Sequence, residues 1–132
     1  MKRGRVGKGI TTVEAALVLP LLLWLTFGVI EYGWALYKSQ QITNVTRQAA
    51  RIAARPDATN AEVEALVSTL MGNVGIASYQ LSLPADLLAL TPAVPFQVEI
   101  RVAYADIELA GPPLVPLPEE LSASVSMAKE GP

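Results

Sequence analysis

Residues 10–37 read ITTVEAALVLPLLLWLTFGVIEYGWALY, and the reading of this stretch decides the fold. No charged residue lies between Ala15 and Ile30, and the apolar run continues on both sides across only Glu14 and Glu31. A helix needs about 20 apolar residues to cross a hydrocarbon core of roughly 30 Å. Glu14 and Glu31 are separated by about 25 Å at a helical rise of ~1.5 Å per residue. Each is therefore expected near an opposite edge of the bilayer, where a carboxylate costs less than at its centre. The alternative is a buried helix of a soluble protein. The 95 residues that follow Tyr37 are too few to wrap such a helix on all sides, so the stretch predicts one membrane span.

The flanks orient it. Lys2, Arg3, Arg5 and Lys8 precede the span with no acid among them, which keeps the N-terminus cytoplasmic and sends the rest outward. Beyond the span only Lys38 is a nearby base, and Tyr32, Trp34 and Tyr37 are the amphipathic rings expected where lipid meets water. A conventional secretory signal fits poorly. The apolar part is much longer than an h-region of about 7–15 residues, and no A-x-A site follows it.

Composition narrows the function classes. Formal net charge is −2 with no cysteine and no histidine. Disulfides and thiolate metal sites are excluded, as is the side chain most often used as a general base near neutrality. No basic patch lies outside the leader and one helix, so nucleic-acid binding has no support. The close acid pairs Glu62/Glu64, Asp106/Glu108 and Glu119/Glu120 have no nucleophile–base arrangement or Gly-rich phosphate loop beside them. They read as ordinary surface. No enzyme activity, cofactor or metal is expected.

The start of the span admits two readings. Thr11 or Thr12 can cap a helix, and Thr11 with Glu14 has capping-box spacing. Alternatively, Lys8-Gly9-Ile10-Thr11-Thr12-Val13-Glu14 is a short basic leader ending in glycine, then an apolar helix with glutamate at its fifth position. That string resembles the type IV prepilin signal, in which a membrane peptidase cuts after the glycine. Cutting between Gly9 and Ile10 would remove four positive charges and create an ammonium on Ile10. Pro20 falls inside the helix and should bend or loosen it.

Further along, Val13, Glu14, Ala16, Leu17, Val18, Pro20, Phe27, Gly28, Glu31 and Gly33, then Arg47, Ala50, Arg51 and Ala54, form a pattern similar to the TadE-like family of the Tad (tight adherence) pilus machinery. The ending LSASVSMAKE also resembles that family, whereas Ala15 stands where an aromatic is usual. The resemblance implies a pilin-like protein that works by packing: Glu14, Pro20 and Glu31 as packing positions, and Gly9–Ile10 as a processing site for a prepilin peptidase. It also implies inner-membrane lipid, other pilins or Tad assembly proteins as partners.

After Tyr37 an amphipathic stripe of Ile42, Val45, Ala49 and Ile52, widened by Ala50 and Ala53, continues the helix to Pro56. Arg47, Arg51 and Arg55 share one side. They form either a solvated face or a contact with acids of a neighbour. Thr59 and Glu62 form a second capping box, Val63, Leu66, Val67, Leu70 and Met71 follow at helical spacing, and Gly72 is the expected stop. This short helix is expected to lie on a sheet. The best strand is PFQVEIRVAY (95–104), strictly alternating and extended by Ile107 and Leu109. Weaker strands are expected at 76–83 and 121–127.

Two proline-rich connections lie at 84–95 and 111–120. In the second, Leu114, Val115 and Leu117 either cover the open end of the core or form a docking patch.

The sequence thus predicts an α+β, pilin-like chain. Its parts are a leader (1–9), a transmembrane helix (10–37), an extramembrane continuation (38–56) and a small domain (57–132) with a short helix and about three antiparallel strands. The predicted function is a minor pilin or pilin-like assembly factor in the bacterial inner membrane, with the C-terminus periplasmic. The alternative is a permanently anchored single-span protein of the same apparatus whose outer domain binds partners. An exported binding module with a mere anchor is a third.

Overall fold

One helix carries every other element. The computed structural model describes residues 7–109, 111, 113 and 115–131, with side chains from Thr12 onward. Helix α1 spans Gly7–Ala54, 48 residues, or about 72 Å. It passes through Pro20 without interruption, although proline leaves the Ala16 carbonyl without its usual donor. Because α1 begins at Gly7, Thr11 and Thr12 lie inside it and do not cap it, and Glu14 is not in its first turn. The capping reading of Glu14 is therefore corrected. The chain before Ile10 continues the helix, so no orphan amides await a cap at Thr12.

From Thr12 to Phe27 every side chain is exposed; from Gly28 onward one face is covered. Ala35, Lys38, Ile42, Val45, Ala49 and Ala53 form the buried stripe, with Thr46, Ala50 and Ala54 beside it. The predicted stripe is present, with Ile52 half-buried at its margin. Its alanines let other backbones come close. The buried Thr46 hydroxyl is satisfied by donating 2.8 Å to the Ile42 carbonyl.

Helix α2 spans Asn60–Asn73. The Glu62 amide donates to Thr59 Oγ1 at 3.2 Å, so the predicted N-cap forms. The Glu62 carboxylate instead accepts from Arg55 Nη1 at 3.1 Å, leaving the reciprocal half of the box unmade. The stop is Gly75, not Gly72. Gly75 has φ +71°, its amide donates to Gly72 O (3.1 Å), and the Ile76 amide donates to Met71 O (2.9 Å). Those two bonds, with Met71 and Ile76 buried together, make a Schellman ending. Gly72 has an ordinary helical place one turn earlier.

The sheet has order β1–β2–β3, antiparallel throughout. Strand β2, Pro95–Ala103, buries Phe96, Val98, Ile100 and Val102 as the alternation predicts. Across from it β3, Glu120–Ala128, pairs Ala123 with Ile100 and Val125 with Val98. Strand β1 is only Gln80–Ser82. The predicted strand over 76–83 is shorter because Ile76 closes α2 and Pro84 withholds a donor.

Nor does β2 extend to Leu109. A 3₁₀ turn at Tyr104–Asp106 is held by the Tyr104 amide on Glu119 O, 2.8 Å. It buries Ile107 and leaves Leu109 48% exposed. α2 packs against α1, and its Val63, Val67 and Met71 share one core with β2 and β3.

Candidate membrane and assembly interface

Two lysines lock the fold onto α1. Lys129 is 3% exposed, and its Nζ donates to the carbonyls of Ala53 (3.2 Å) and Arg55 (2.6 Å). The Glu130 amide adds a bond to Ala54 O, 2.8 Å. An ammonium at the last carbonyls of a helix satisfies orphan acceptors and meets the negative end of the dipole. Lys38 does the same for α2. Its Nζ donates 2.7 Å to Val74 O and lies 5.0 Å from the Trp34 ring centroid, a cation–π distance. Lys38 therefore points into the protein rather than serving as a membrane-flanking charge.

Below Lys38 the proline-rich segment grips the helix. Tyr32 Oη donates to Pro116 O at 2.8 Å, and Trp34 Nε1 donates to Ile107 O at 2.7 Å. Val115 closes over Gly28, where an added Cβ would stand 2.9 Å from Val115 Cγ1. Trp24, Leu25, Gly28, Val29, Tyr32 and Val115 line one apolar groove there. Leu117 packs on the core, Val115 docks on α1, and Leu114 lies outside the described residues. Tyr32 and Trp34, expected as lipid-facing rings, spend their polar atoms on this grip.

Of the predicted packing positions, Glu14 and Pro20 stand on the exposed stem, while Glu31 is half-buried at the level of the domain. There its charge, with that of Glu108, adds to the effect of burial in raising the Tyr104 phenol above its ordinary pKa; burial is the larger cause. Gly9 and Ile10 lie in the first turn of α1, with side chains outside the description.

The arginine row divides. Arg55 is held by Asp57 (2.9 Å) and Glu62 (3.1 Å), whereas Arg47 and Arg51 are exposed. Asp106 and Glu108 do not share a strand face, since the 3₁₀ turn intervenes. Among the described residues no group of three or more acids, histidines or cysteines is placed to hold a metal ion.

α1 is long and apolar enough to cross a membrane, and its most apolar window is almost wholly uncovered by the rest of the chain. Residues 9–51 match the TadE-like protein family. The matched segment begins in the first turn of α1 and ends one turn before its last residue. The similarity to the TadE-like family thus lies along the helix itself. No curated protein and no solved structure matches the chain.

Sequence reasoning missed Gly28, Lys38 and Lys129 as structural determinants. The one available signal was Val115 and its neighbours, too apolar for a free loop.

Proposed function

We propose that the protein is a minor pilin or pilin-like assembly factor of a Tad-type pilus. It is held in the inner membrane by a single span with the N-terminus cytoplasmic, and it acts by packing its stem rather than by catalysis. The observation that supports this reading is the coincidence of the TadE-like match with α1, whose residues 12–27 are all exposed. Such a helix needs lipid before assembly and neighbouring stems after it. Thr26 already donates its hydroxyl to Leu22 O, 2.7 Å, so it brings no unsatisfied group into an apolar setting. Glu14 is the one charge on that stretch. In a bundle it would pair with the ammonium that cleavage after Gly9 leaves on Ile10. Pro20 sets the packing of the same stretch, and Arg47 and Arg51 are the cations available to a neighbour's acids.

N-terminal sequencing and intact mass of the purified protein test the processing step, and the mature chain is expected to begin at Ile10. A chain retaining Met1–Gly9 in cells that express the cognate peptidase would instead make this a permanent anchor with a partner-binding outer domain. Glu14→Gln tests the packing step, scored separately for membrane amount, processing and piliation. Breaking a buried pair costs about 3–5 kcal/mol, so piliation should fall by orders of magnitude at normal amount and processing. Normal piliation from the mutant as sole copy would rule the pairing out.

A further inference from the structure

We propose that Leu109, Gly111, Pro113 and Val115–Pro118 of the proline-rich segment form a membrane seat: they rest on the outer leaflet and fix how deeply α1 is inserted. The inference rests on the single-span reading above and adds the surface that meets the lipid. The grip on α1 sets the geometry. Val115 reaches the level of Trp24, Leu25 and Gly28, and Pro116 is tied to Tyr32. Were the hydrocarbon edge at Tyr37, where the apolar run ends, this segment would be submerged, and Glu108, Glu119 and Glu120 would be drawn towards the lipid with it. Irregular backbone exposed to hydrocarbon is not tolerated. The edge must lie at the segment itself.

Measured back from Gly28, a hydrocarbon thickness of about 30 Å reaches Lys8, the last base of the leader. The segment is chemically suited to the boundary. It has no charge from Leu109 to Pro118, with acids on both sides, and Leu109 is 48% exposed. Its prolines carry no amide hydrogen that would lose water on contact with lipid. One consequence is that Glu14, about 21 Å from Gly28, lies inside the hydrocarbon rather than at its edge.

The chain has no cysteine, so single-cysteine variants of the full chain report depth directly. Pro113→Cys, Leu21→Cys on the stem and Ser68→Cys on α2, all at exposed positions, are labelled with an environment-sensitive fluorophore. They are reconstituted in phosphatidylcholine–phosphatidylglycerol vesicles carrying nitroxide lipids. The label at 113 is expected to lose most of its emission to a nitroxide near the headgroup, that at 21 to a nitroxide deep in the acyl region, and that at 68 to neither. Leu109→Cys repeats the reading should Pro113→Cys disturb the fold. Labels at 113 and 109 as unquenched as that at 68, with 21 still quenched, would overturn the seat and leave the anchor standing. An unquenched label at 21 would overturn both. Labels at 113 and 109 shielded from nitroxide lipid and from aqueous iodide alike would assign the surface to another copy and overturn the proposal.

Discussion

Gly28 and Gly33 look alike in the sequence, and the structure predicts opposite responses to alanine. Relieving helix flexibility by Gly→Ala is worth about 0.8–1 kcal/mol at either position. At Gly33 nothing lies within 4 Å of the new Cβ, so the gain should appear in full. At Gly28 the Cβ would meet Val115 Cγ1 at 2.9 Å, well inside the ~3.5–4.0 Å optimum for carbon pairs. Val115 cannot simply swing away, because Pro116 next to it is held by Tyr32 at 2.8 Å. Overpacking of this kind costs about 1–3 kcal/mol.

Gly28→Ala should therefore be destabilising by about 0–2 kcal/mol net, and should fall about 1–3 kcal/mol below Gly33→Ala. Val115→Ala removes the obstructing methyl. In that background Gly28→Ala should become as favourable as Gly33→Ala, a coupling of about 1–3 kcal/mol in a double-mutant cycle. The measurement is denaturant unfolding in detergent followed by the near-ultraviolet dichroism of Trp34, in a Trp24→Phe background. Trp34 is the better reporter because its Nε1 bonds to Ile107 O. Equal gains at the two glycines, or no rescue by Val115→Ala, would refute the clamp.

Three further outcomes are expected. Lys129→Met leaves the Ala53 and Arg55 carbonyls without their donor and should destabilise the domain by about 2–3 kcal/mol in the same unfolding assay; an unchanged midpoint would remove Lys129 as a helix cap. Gly75→Ala forces a side chain into φ +71° and should cost about 1–2 kcal/mol, while Gly72→Ala should be neutral or stabilising, so the reverse order would place the helix stop at Gly72. Burial, with Glu31 and Glu108, raises the folded Tyr104 pKa above its unfolded value near 10. The stability held by its neutral phenol is then complete below about pH 10 and lost as pH climbs through the folded pKa. Ultraviolet titration should show a late phase that Tyr104→Phe removes; a late end of the curve unchanged by that substitution would contradict this.

What the sequence by itself determined was whatever has a period or a local cap. The uncharged run of Ala15–Ile30, the stripe through Ile42, Val45 and Ala49, the alternation of β2 and the Thr59 cap each repeat within a few residues, so neighbours in sequence are neighbours in space. The TadE-like pattern is legible for the same reason, since it lies along one helix. The termini of these elements were less legible. Gly72 and Gly75 compete for one stop, and the backbone bonds of Ile76 decide between them. Tertiary structure alone decided how the domain sits on the stem. Tyr32 finds Pro116, Trp34 finds Ile107, Lys38 finds Val74 and Lys129 finds Ala53, across separations of 84, 73, 36 and 76 residues. Each joins a side chain to a distant carbonyl. Every residue carries a carbonyl, so the acceptor leaves no mark in the sequence, and only the folded chain shows which one a given lysine or ring will meet.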